Sequence, residues 1–503
     1  MKKILSFILV AAMLVASVLV VPVSAIEAET VSVWDGTMPT VTATSIFTAL
    51  GQDGVAGTET DPIVLDCVED VAILAQFLLN GGDVWTANKG TNGFPWFRLD
   101  CDIDLAGYEW PGIGTSQVES KEGRFKGKFD GNGHVIYNLD LASDDLYAGF
   151  FGYLFTGNAL VRNLGIASCE EGGIDIGSAT ERQYVGGLVG YADRATIENC
   201  FANVSFKSNS TQQLCVGILM GKCDNEGNFT YVKDSWCNGS IEIGTRTDKW
   251  VHAGILCGEI SGKLTVTNCN STGSIKVANA VAWDGIGAFV GQLSDNKVLT
   301  VSDTKFSGSV TMESSLVTNC NMKAIIGYEN GTETFTNCQY NVTCSANNET
   351  IVPLTYTGLV STADEINITS SDMLNEGSNS VAYQLGTDGT NKIRFVSTLG
   401  FSHSMFEKAG FIVDITYTAD GKTYTATDVE LSDGYVYNSL LANGETVYAQ
   451  EQGVNGVKTF VAHGITDIPA CTVTFNVTPF VETADGVRIY GESTQINDVV
   501  FSN

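Results

Sequence analysis

The chain has 503 residues, of which 27 are Lys or Arg and 57 are Asp or Glu, giving a formal net charge of −30 at pH 7. Such a negative surface repels nucleic acids and anionic lipids, so both are poor partner candidates. Only 17% of the residues are charged and 44% are hydrophobic, which predicts a folded protein and excludes an acidic disordered one.

The first 25 residues have the pattern of a secretory signal peptide. Residues 2–3 are lysines, an apolar run covers 4–21, and 23–25 offer a small-residue cleavage site. The alternative is a retained membrane anchor, because the apolar run is long. No later segment is a predicted membrane span. We therefore expect a secreted protein, either extracellular or held non-covalently at the cell surface.

A capping helix is predicted near the start of the mature chain. The strand-like IVLDC (63–67) is followed by apolar residues at helical spacing: Val71, Leu74, Phe77 and Leu78. One amphipathic helix ahead of a repeat array is typical of a cap that covers the open end of the stack, where a bare sheet edge would aggregate. Residues 26–60 are predicted to be a linker or a short entry strand.

The segment WFRLDCDIDL (96–105) alternates polar and apolar residues, which predicts one β-strand. On it Asp100, Asp102 and Asp104 would project from one face at intervals of about 7 Å. This spacing suits Ca²⁺ or a pair of catalytic carboxylates. We favour the alternative, in which these side chains bond the backbone of turns, because Arg98 is the only cation in the strand. No cofactor other than Ca²⁺ is expected.

A glycine returns with similar surroundings six times in the middle of the chain. Gly190 is the sixth residue of VGGLVGY, and Gly291 is the sixth residue of IGAFVGQ. Successive repeat glycines are separated by 31 to 38 residues. The six glycines are Gly152, Gly190, Gly221, Gly258, Gly291 and Gly327. A repeat in this range indicates stacked units, each of which contacts only its neighbours.

A series of Asn and Asp residues runs in step with the glycines at intervals of 34–36 residues. Its members are Asn163, Asn199, Asp234, Asn268, Asp303 and Asn337. Equivalent side chains on stacked coils can hydrogen-bond along the stack and satisfy the backbone of the turns. The series is therefore predicted to be a structural ladder.

Each repeat contains two or three short predicted strands and no predicted helix. This content suits one coil of a parallel β-helix, in which strands of successive coils lie about 4.8 Å apart. A β-propeller has a similar period but needs four strands per blade, for which these units are too short. The sequence therefore predicts an all-β fold, with a parallel β-helix, or solenoid, and its cap over residues 61–345.

The chain has 13 cysteines, which in a secreted protein would usually form disulfides. Cys200, Cys269 and Cys338 each follow a ladder residue directly. Side chains at one register of stacked strands point the same way, so free, buried thiols are favoured over a disulfide network. A metal site is not expected at the cysteines, because the sequence contains no CxxC pair and no close Cys/His cluster, and the identity of any metal is left open.

Two tryptophans are candidate ligand-binding residues. Trp250 and Trp283 each lie eight residues before their repeat glycine, so they are predicted to lie one above the other on adjacent coils. Two indoles there could form a platform for sugar rings. The favoured alternative is an aromatic stack that covers a loop or fills the core.

The C-terminal part of the chain has a different pattern. Residues 346–375 are rich in Asn, Thr and Ser and are predicted to be a linker. From residue 376 strands are predicted about every 10 residues, separated by Asp-Gly turns. This spacing predicts an antiparallel β-sandwich of immunoglobulin-like size over 376–503.

Several motifs together resemble the GLUG-repeat proteins of bacteria: WFRLDCDIDL, FKGKFDGNGHVIYNL, GFFGY and VGGLVGY…TIENC. The similarity covers about residues 65–345 and implies a right-handed β-helix on secreted or surface proteins, many of which have no known activity. The later run IRFVST…AGFIV…VTPF…YGES is similar to accessory β-sandwich domains at the C terminus of secreted Firmicutes proteins. That second resemblance implies no chemistry.

The sequence leaves two classes of function open. The four histidines are scattered, and no Ser/His/Asp or His/Glu spacing indicates a nucleophile, so no catalytic residue is predicted. This favours a non-catalytic binding or adhesion protein that contacts an extracellular polysaccharide, or a surface glycan or protein, through a β-helix face or the sandwich. The alternative is a polysaccharide lyase or glycoside hydrolase, since fold alone does not decide between these classes.

Overall fold

The computed structural model describes most of the chain between residues 32 and 362 and a set of strands after it. The described residues are 32–84, 94–114, 123–141, 144–167, 173–177, 181–209, 212–362, 382–385, 393–399, 408–419, 422–431, 436–438, 440–442, 445–447, 459–465, 471–482, 488–490 and 493–501. The predicted signal peptide, residues 1–25, lies outside them. The described residues form two compact units, one within Val31–Ile368 and one from the strands that follow.

The first unit is a β-solenoid of about 7 turns built from three large sheets. Sheet 1 has 13 strands, which pair in parallel except at Glu349–Thr350. Its strands are Ser32–Val33, Ile103–Asp104, Val135–Tyr137, Gly165–Ala167, Ile174–Ile176, Phe201–Asn203, Phe206–Ser208, Trp236–Ile243, Asn270–Val277, Lys305–Met312, Cys338–Ala346, Glu349–Thr350 and Leu359–Ser361. The described solenoid therefore extends beyond both ends of the predicted range 61–345, with Ser32–Val33 before it and Glu349–Thr350 and Leu359–Ser361 after it.

Sheets 2 and 3 complete each coil, and a small pair, Glu109–Trp110 with Asp140–Leu141, lies beside them. Sheet 2 has 11 strands: Ile63–Leu65, Trp96–Leu99, Lys128–Asp130, Phe151–Arg162, Val189–Glu198, Met220–Lys233, Cys257–Thr267, Val290–Leu293, Val298–Ser302, Ile326–Glu329 and Thr332–Thr336. Sheet 3 has six: Tyr147–Ala148, Gln183–Gly186, Leu214–Gly217, Val251–Gly254, Gly285–Gly287 and Asn321–Met322.

One coil illustrates the path of the chain. Gln183–Gly186 lies in sheet 3, and two residues later Val189–Glu198 begins in sheet 2. Asn199 then turns the chain into Phe201–Asn203 of sheet 1. The apolar side chains between the sheets are buried and join one hydrophobic cluster that extends along the unit. Successive coils are therefore held together by backbone hydrogen bonds and by one continuous core.

The Asn and Asp residues of the ladder all have left-handed backbone conformations, with φ between 47° and 53°. These residue types tolerate that region because their short polar side chains bond locally. The side chains also bond between coils. Asn199 Nδ2 donates to Asn163 Oδ1 at 2.8 Å, and Asn268 Nδ2 donates to Asp234 Oδ1 at 2.7 Å. The ladder residues thus turn the chain from sheet 2 into sheet 1 and link neighbouring turns.

The repeat glycines lie where the chain enters sheet 2, close to the backbone of the preceding coils. A Cβ atom added at Gly258 would lie 2.5 Å from the Val216 nitrogen and 2.7 Å from the Gly221 oxygen. Real Cβ atoms essentially never approach within 3.0 Å. A side chain at this position would therefore push two backbones apart.

The predicted helix is present as Val68–Leu79, and a short helix, Ile46–Ala49, precedes it. The apolar face of Val68–Leu79, which includes Val71 and Phe77, is buried in the hydrophobic cluster. Neither described helix has the length and hydrophobicity needed to cross a membrane. The role of Val68–Leu79 as a cap on the stack stays a prediction.

The segment 96–105, predicted as one strand, is divided between two sheets. Trp96–Leu99 belongs to sheet 2 and Ile103–Asp104 to sheet 1, so the chain turns a corner of the solenoid between them. Leu99, Cys101 and Ile103 all stay buried. Because every second side chain remains directed to the core around the corner, the period-two pattern does not reveal the bend.

None of the described cysteines forms a disulfide. Most are buried, and those next to the ladder bond backbone carbonyls. The Cys269 thiol donates to the Thr267 oxygen at 3.2 Å, and the Cys338 thiol donates to the Thr336 oxygen at 3.2 Å. These thiols therefore act as small core side chains with a weak hydrogen bond.

The second unit consists of antiparallel strands, as predicted for this part of the chain. A four-stranded sheet contains Ala382–Leu385, Ile393–Leu399, Val436–Asn438 and Thr459–Ile465. A five-stranded sheet contains Lys408–Ala419, Lys422–Leu431, Cys471–Glu482, Arg488–Tyr490 and Thr494–Phe501, and Leu440–Ala442 pairs with Glu445–Val447. An immunoglobulin-like sandwich topology stays a prediction.

We expect Asn268→Ala to destabilise the solenoid more than Asn268→Gly. Alanine loses the hydrogen bond to Asp234 and is strained at φ 50°, which together cost about 1–2 kcal/mol. Glycine loses the bond but tolerates the backbone conformation. Melting temperatures of the two variants check this. Equal melting temperatures would show that the left-handed turn contributes nothing.

Gly258→Ala should lower the free energy of unfolding by about 2–3 kcal/mol, because the new methyl group overlaps backbone atoms of the preceding coil. Gly54→Ala is the matched control, since an added Cβ there meets nothing within 4 Å. The control should change stability by less than about 0.5 kcal/mol. Thermal unfolding of both variants measures the difference, and equal effects would contradict the close packing at Gly258.

Candidate functional site

Two columns of side chains meet where sheet 3 turns into sheet 2, and together we call them the polar corner. The column on sheet 2 follows the repeat glycines directly: Tyr153, Tyr191, Lys222, Glu259, Gln292 and Tyr328. The column on sheet 3 occupies one register position: Tyr147, Tyr184, Cys215, His252, Gly285 and Asn321. Parallel pairing in register brings each member beside its counterparts on adjacent coils.

The end of the polar corner nearest the N terminus is a cluster of tyrosines. Tyr147 stacks on Tyr184 with ring centroids 5.5 Å apart and meets Tyr191 edge-on at 5.0 Å. Lys222 Nζ lies 5.1 Å from the ring centroid of Tyr184 and 5.5 Å from that of Tyr191. Aromatic faces attract an ammonium group, so the tyrosines stabilise Lys222 in its charged form.

Glu259 is the centre of the polar corner. Its Oε2 lies 3.1 Å from the Cys215 sulfur and 3.2 Å from His252 Nδ1. Its Oε1 lies 3.2 Å from Lys222 Nζ and accepts a hydrogen bond from the Ser261 hydroxyl. Only 4% of the Glu259 surface is exposed. Four partners therefore replace the water that this carboxylate has lost.

Lys222 is shared between two carboxylates. Its Nζ lies 3.5 Å from Asp224 Oδ2, and the same oxygen accepts the Tyr191 hydroxyl at 2.6 Å. A continuous polar network thus runs from Asp224 through Lys222 to Glu259. Buried charges are stable in a protein only when they are paired in this way.

The network fixes the charge of its members near neutral pH. Burial would raise the pKa of Glu259, but the His252 hydrogen bond and the charge of Lys222 outweigh it and hold that pKa well below its usual range. Burial would lower the pKa of Lys222, yet Glu259 and its neighbours raise it. Burial lowers the pKa of His252, and burial together with the charge of Glu259 raises the pKa of the Cys215 thiol. Near pH 7 the carboxylate and the ammonium are charged, and the thiol and imidazole are neutral.

An open cavity of about 280 Å³ adjoins the polar corner. It is lined by Arg182, Trp250, His252, Glu259, Trp283, Gln292 and Tyr328. Trp250 stacks on the His252 ring with centroids 4.0 Å apart, and the Arg182 guanidinium carbon lies 4.4 Å from the Trp250 ring centroid. The cavity therefore combines aromatic surface with a cation and several hydrogen-bonding groups.

The structure brings the two predicted tryptophans to this one cavity. Pairing of His252 with Gly285 gives Trp250 and Trp283 equivalent positions on adjacent coils. Their surroundings differ. Trp250 is half-buried against the imidazole and the guanidinium, whereas Trp283 is 55% exposed and has φ 73°.

The three predicted acidic residues do not share one strand face, because the corner of the solenoid separates them. Asp102 is fully buried, and its Oδ1 lies 3.0 Å from His134 Nδ1. Asp100 forms an ion pair with Arg98 at 2.6 Å. Asp104 accepts hydrogen bonds from a turn amide and from an asparagine on the next coil. Each carboxylate is thus engaged by a different protein group, and a shared role in Ca²⁺ binding or catalysis stays a prediction.

Sequence reasoning did not group Cys215 with His252 and Glu259. The thiol and the imidazole are 37 residues apart in the chain, and no spacing rule joins them. The signal lies in the repeat, since Cys215 and His252 each precede their glycine by six residues and Glu259 follows Gly258 directly. Comparing, across all repeats, the residues at each fixed distance from the repeat glycine would have grouped these three residues.

We expect Glu259→Gln to lower the free energy of unfolding by about 3–5 kcal/mol, because it removes one charge from a buried pair. The matched control is Glu242→Gln, whose carboxylate pairs with Lys276 but is 62% exposed. The control should cost less than about 1 kcal/mol. Thermal unfolding measures both, and an effect of Glu259→Gln no larger than the control would show that the network contributes no stability.

Comparisons with known proteins gave a match to a family model and a match to a solved structure. Residues 181–206, the coil that contains Gly190 and Asn199, match the family model described as the GLUG motif. A solved structure of a putative immunoglobulin A1 protease from Bacteroides ovatus is 20% identical with a TM-score of 0.41, over 61% of this chain and 86% of that one. The comparison with curated proteins gave no significant match. The chain is a β-solenoid that carries a GLUG motif.

Proposed function

We infer that this is a secreted bacterial binding protein that holds one residue of an extracellular glycan in the cavity beside the polar corner. The observation that carries this proposal is Trp283, a large apolar side chain that is 55% exposed at the mouth of a polar cavity. Sugar rings present an apolar face and a rim of hydroxyls. An indole beside hydrogen-bonding groups offers a complementary surface.

The backbone at Trp283 supports the same proposal. A φ of 73° is unfavourable for a bulky side chain, and such strain concentrates at binding sites. The amide of Trp283 donates to the Asn319 carbonyl at 2.8 Å, so the next coil holds this conformation. This hydrogen bond therefore supports the backbone conformation from which the exposed indole lines the cavity.

The size and charge of the site favour a neutral saccharide. A volume of about 280 Å³ lies just below the roughly 300–1,000 Å³ that pockets for drug-sized ligands span, which suits one ring of a longer polymer. The net charge of −30 repels a polyanionic glycan. The Arg182 guanidinium in the cavity lining does not by itself indicate an anionic ligand, because it already contacts the Trp250 ring and donates to Gln213 Oε1 at 3.1 Å.

The charged pair Glu259 and Lys222 is better suited to holding a ligand than to transferring its protons. A general acid or base works best with a pKa near the operating pH. The pKa of Glu259 is held low and the pKa of Lys222 is raised, so neither exchanges a proton readily near pH 7. The polar corner is thereby suited to holding a ligand or a neighbouring group in place.

The purified mature protein should bind neutral glycans on an array, and Trp283→Gly should weaken that binding by about 10-fold or more. Glycine removes the indole and tolerates φ 73°, so the variant should keep or exceed the wild-type melting temperature. Loss of binding then does not reflect unfolding. Isothermal titration with the best array ligand gives the affinities.

Tyr231→Ala is the matched control, since Tyr231 is an aromatic residue of sheet 2 that is 39% exposed away from the cavity lining. It should leave affinity unchanged. Wild-type affinity in Trp283→Gly would overturn the assignment of the site. New reducing ends or unsaturated products from a polysaccharide would instead establish the enzyme alternative.

A further inference from the structure

We propose that Cys215, His252 and Glu259 form a binding site for a divalent transition-metal ion of the Zn²⁺ class. The three side chains come from two adjacent strands of sheet 3 and from sheet 2. All three are buried, and one ligand atom of each lies within 4.8 Å of the other two. Sulfur, imidazole nitrogen and carboxylate oxygen are the three donor types that zinc sites use.

The spacing of the donor atoms fits a tetrahedral ion. Bonds of about 2.3 Å to sulfur and about 2.0–2.1 Å to nitrogen and oxygen separate the ligand atoms of tetrahedral zinc by roughly 3.3–3.6 Å. Here Cys215 Sγ lies 3.1 Å from Glu259 Oε2 and 3.9 Å from His252 Nδ1, and Nδ1 lies 3.2 Å from Oε2. Shifts of a few tenths of an ångström suffice to place one ion between them.

Protons occupy the position that the ion would take. The Cys215 thiol donates to Glu259 Oε2, and His252 Nδ1 shares that same oxygen. Binding of a divalent ion would displace the thiol proton to solvent and form the metal–sulfur bond. The imidazole would then carry its proton on Nε2 and offer the Nδ1 lone pair to the metal.

The surrounding charges balance the bound ion. One divalent cation is neutralised by the Cys215 thiolate and the Glu259 carboxylate. Lys222 bonds the other oxygen of that carboxylate and is itself paired with Asp224. Binding therefore leaves no uncompensated charge in the buried part of the network.

The neighbouring groups give the site an oriented ligand and an open position. Trp250 stacks on the His252 ring at an angle of 17°, which restricts the plane of the imidazole. His252 and Glu259 both line the cavity. Three protein ligands leave a fourth position on a tetrahedral ion, and here water or a ligand oxygen would reach it from the cavity.

The donor set selects the class of metal. A thiolate and an imidazole favour Zn²⁺, Co²⁺ or Cu²⁺ over the hard ions Ca²⁺ and Mg²⁺, which prefer oxygen ligands. The acidic surface of the whole chain binds divalent ions weakly and without thiolate. Excess Mg²⁺ should therefore remove surface-bound ions and leave the buried site occupied.

The test uses the full mature chain, stripped of metal under reducing conditions and titrated with Co²⁺ in excess Mg²⁺. We expect one equivalent to bind with a thiolate-to-cobalt absorption band in the near ultraviolet, and one equivalent of Zn²⁺ to displace it. Cys215→Ala should abolish the band and weaken Zn²⁺ binding by about 100-fold or more. Glu259→Gln, which keeps the shape of the side chain, should also weaken it.

Cys223→Ala is the control, because Cys223 is a buried thiol on a neighbouring strand that approaches the Lys263 carbonyl at 4.0 Å and is outside the cluster. It should keep the band and the affinity. Absence of a thiolate band in the wild-type protein would overturn the proposal even if Cys215→Ala fails to fold, as would a band that survives in a folded Cys215→Ala. No saccharide is present, so the result is independent of glycan binding.

Discussion

Parallel stacking in register is the constraint on which the rest of this solenoid depends. Each residue of a coil has its counterpart one repeat away as a spatial neighbour, at about 4.8 Å. A requirement at one position therefore recurs on every coil. A left-handed turn needs Asn or Asp at each ladder position, and a close backbone approach needs glycine at each entry to sheet 2. The ladder, the glycines and the polar corner are three consequences of the same geometry.

The polar corner is compatible with burial because its members satisfy one another. Glu259 and Lys222 would each be unstable alone in a setting where less than a tenth of the residue is exposed. As neighbours on adjacent coils they pair, and His252, Ser261 and Asp224 complete the bonding. At the other end of the polar corner, Tyr147 stacks on Tyr184, and the face of the Tyr184 ring stabilises the buried ammonium group of Lys222. Stacking thus lets charges from distant parts of the chain neutralise each other without a long loop.

Much of the solenoid could be predicted from sequence because its requirements repeat. The glycine and ladder series define the coils, the helix Val68–Leu79 follows from its apolar spacing, and the cysteines beside the ladder are buried core side chains. The bend within 96–105 could not be predicted, since polar and apolar residues alternate in the sequence through the corner. The cluster around Glu259 was missed for another reason. Its members differ from their counterparts on other coils, so a search for repetition passes over them.

That difference is itself informative about where function lies on a repeat fold. Directly after the six repeat glycines, the sheet 2 column contains Tyr153, Tyr191, Lys222, Glu259, Gln292 and Tyr328, so residue type varies there while the preceding position is glycine on each of these six coils. The backbone requirement is met by the glycine, so the residue after it is free to vary in size and charge without disturbing the stack. Stability and chemistry therefore occupy adjacent positions in the sequence but separate columns in space. The coils around Gly221 and Gly258, where this column becomes charged and meets Cys215 and His252, are where the fold supports chemistry that the repeat itself does not require.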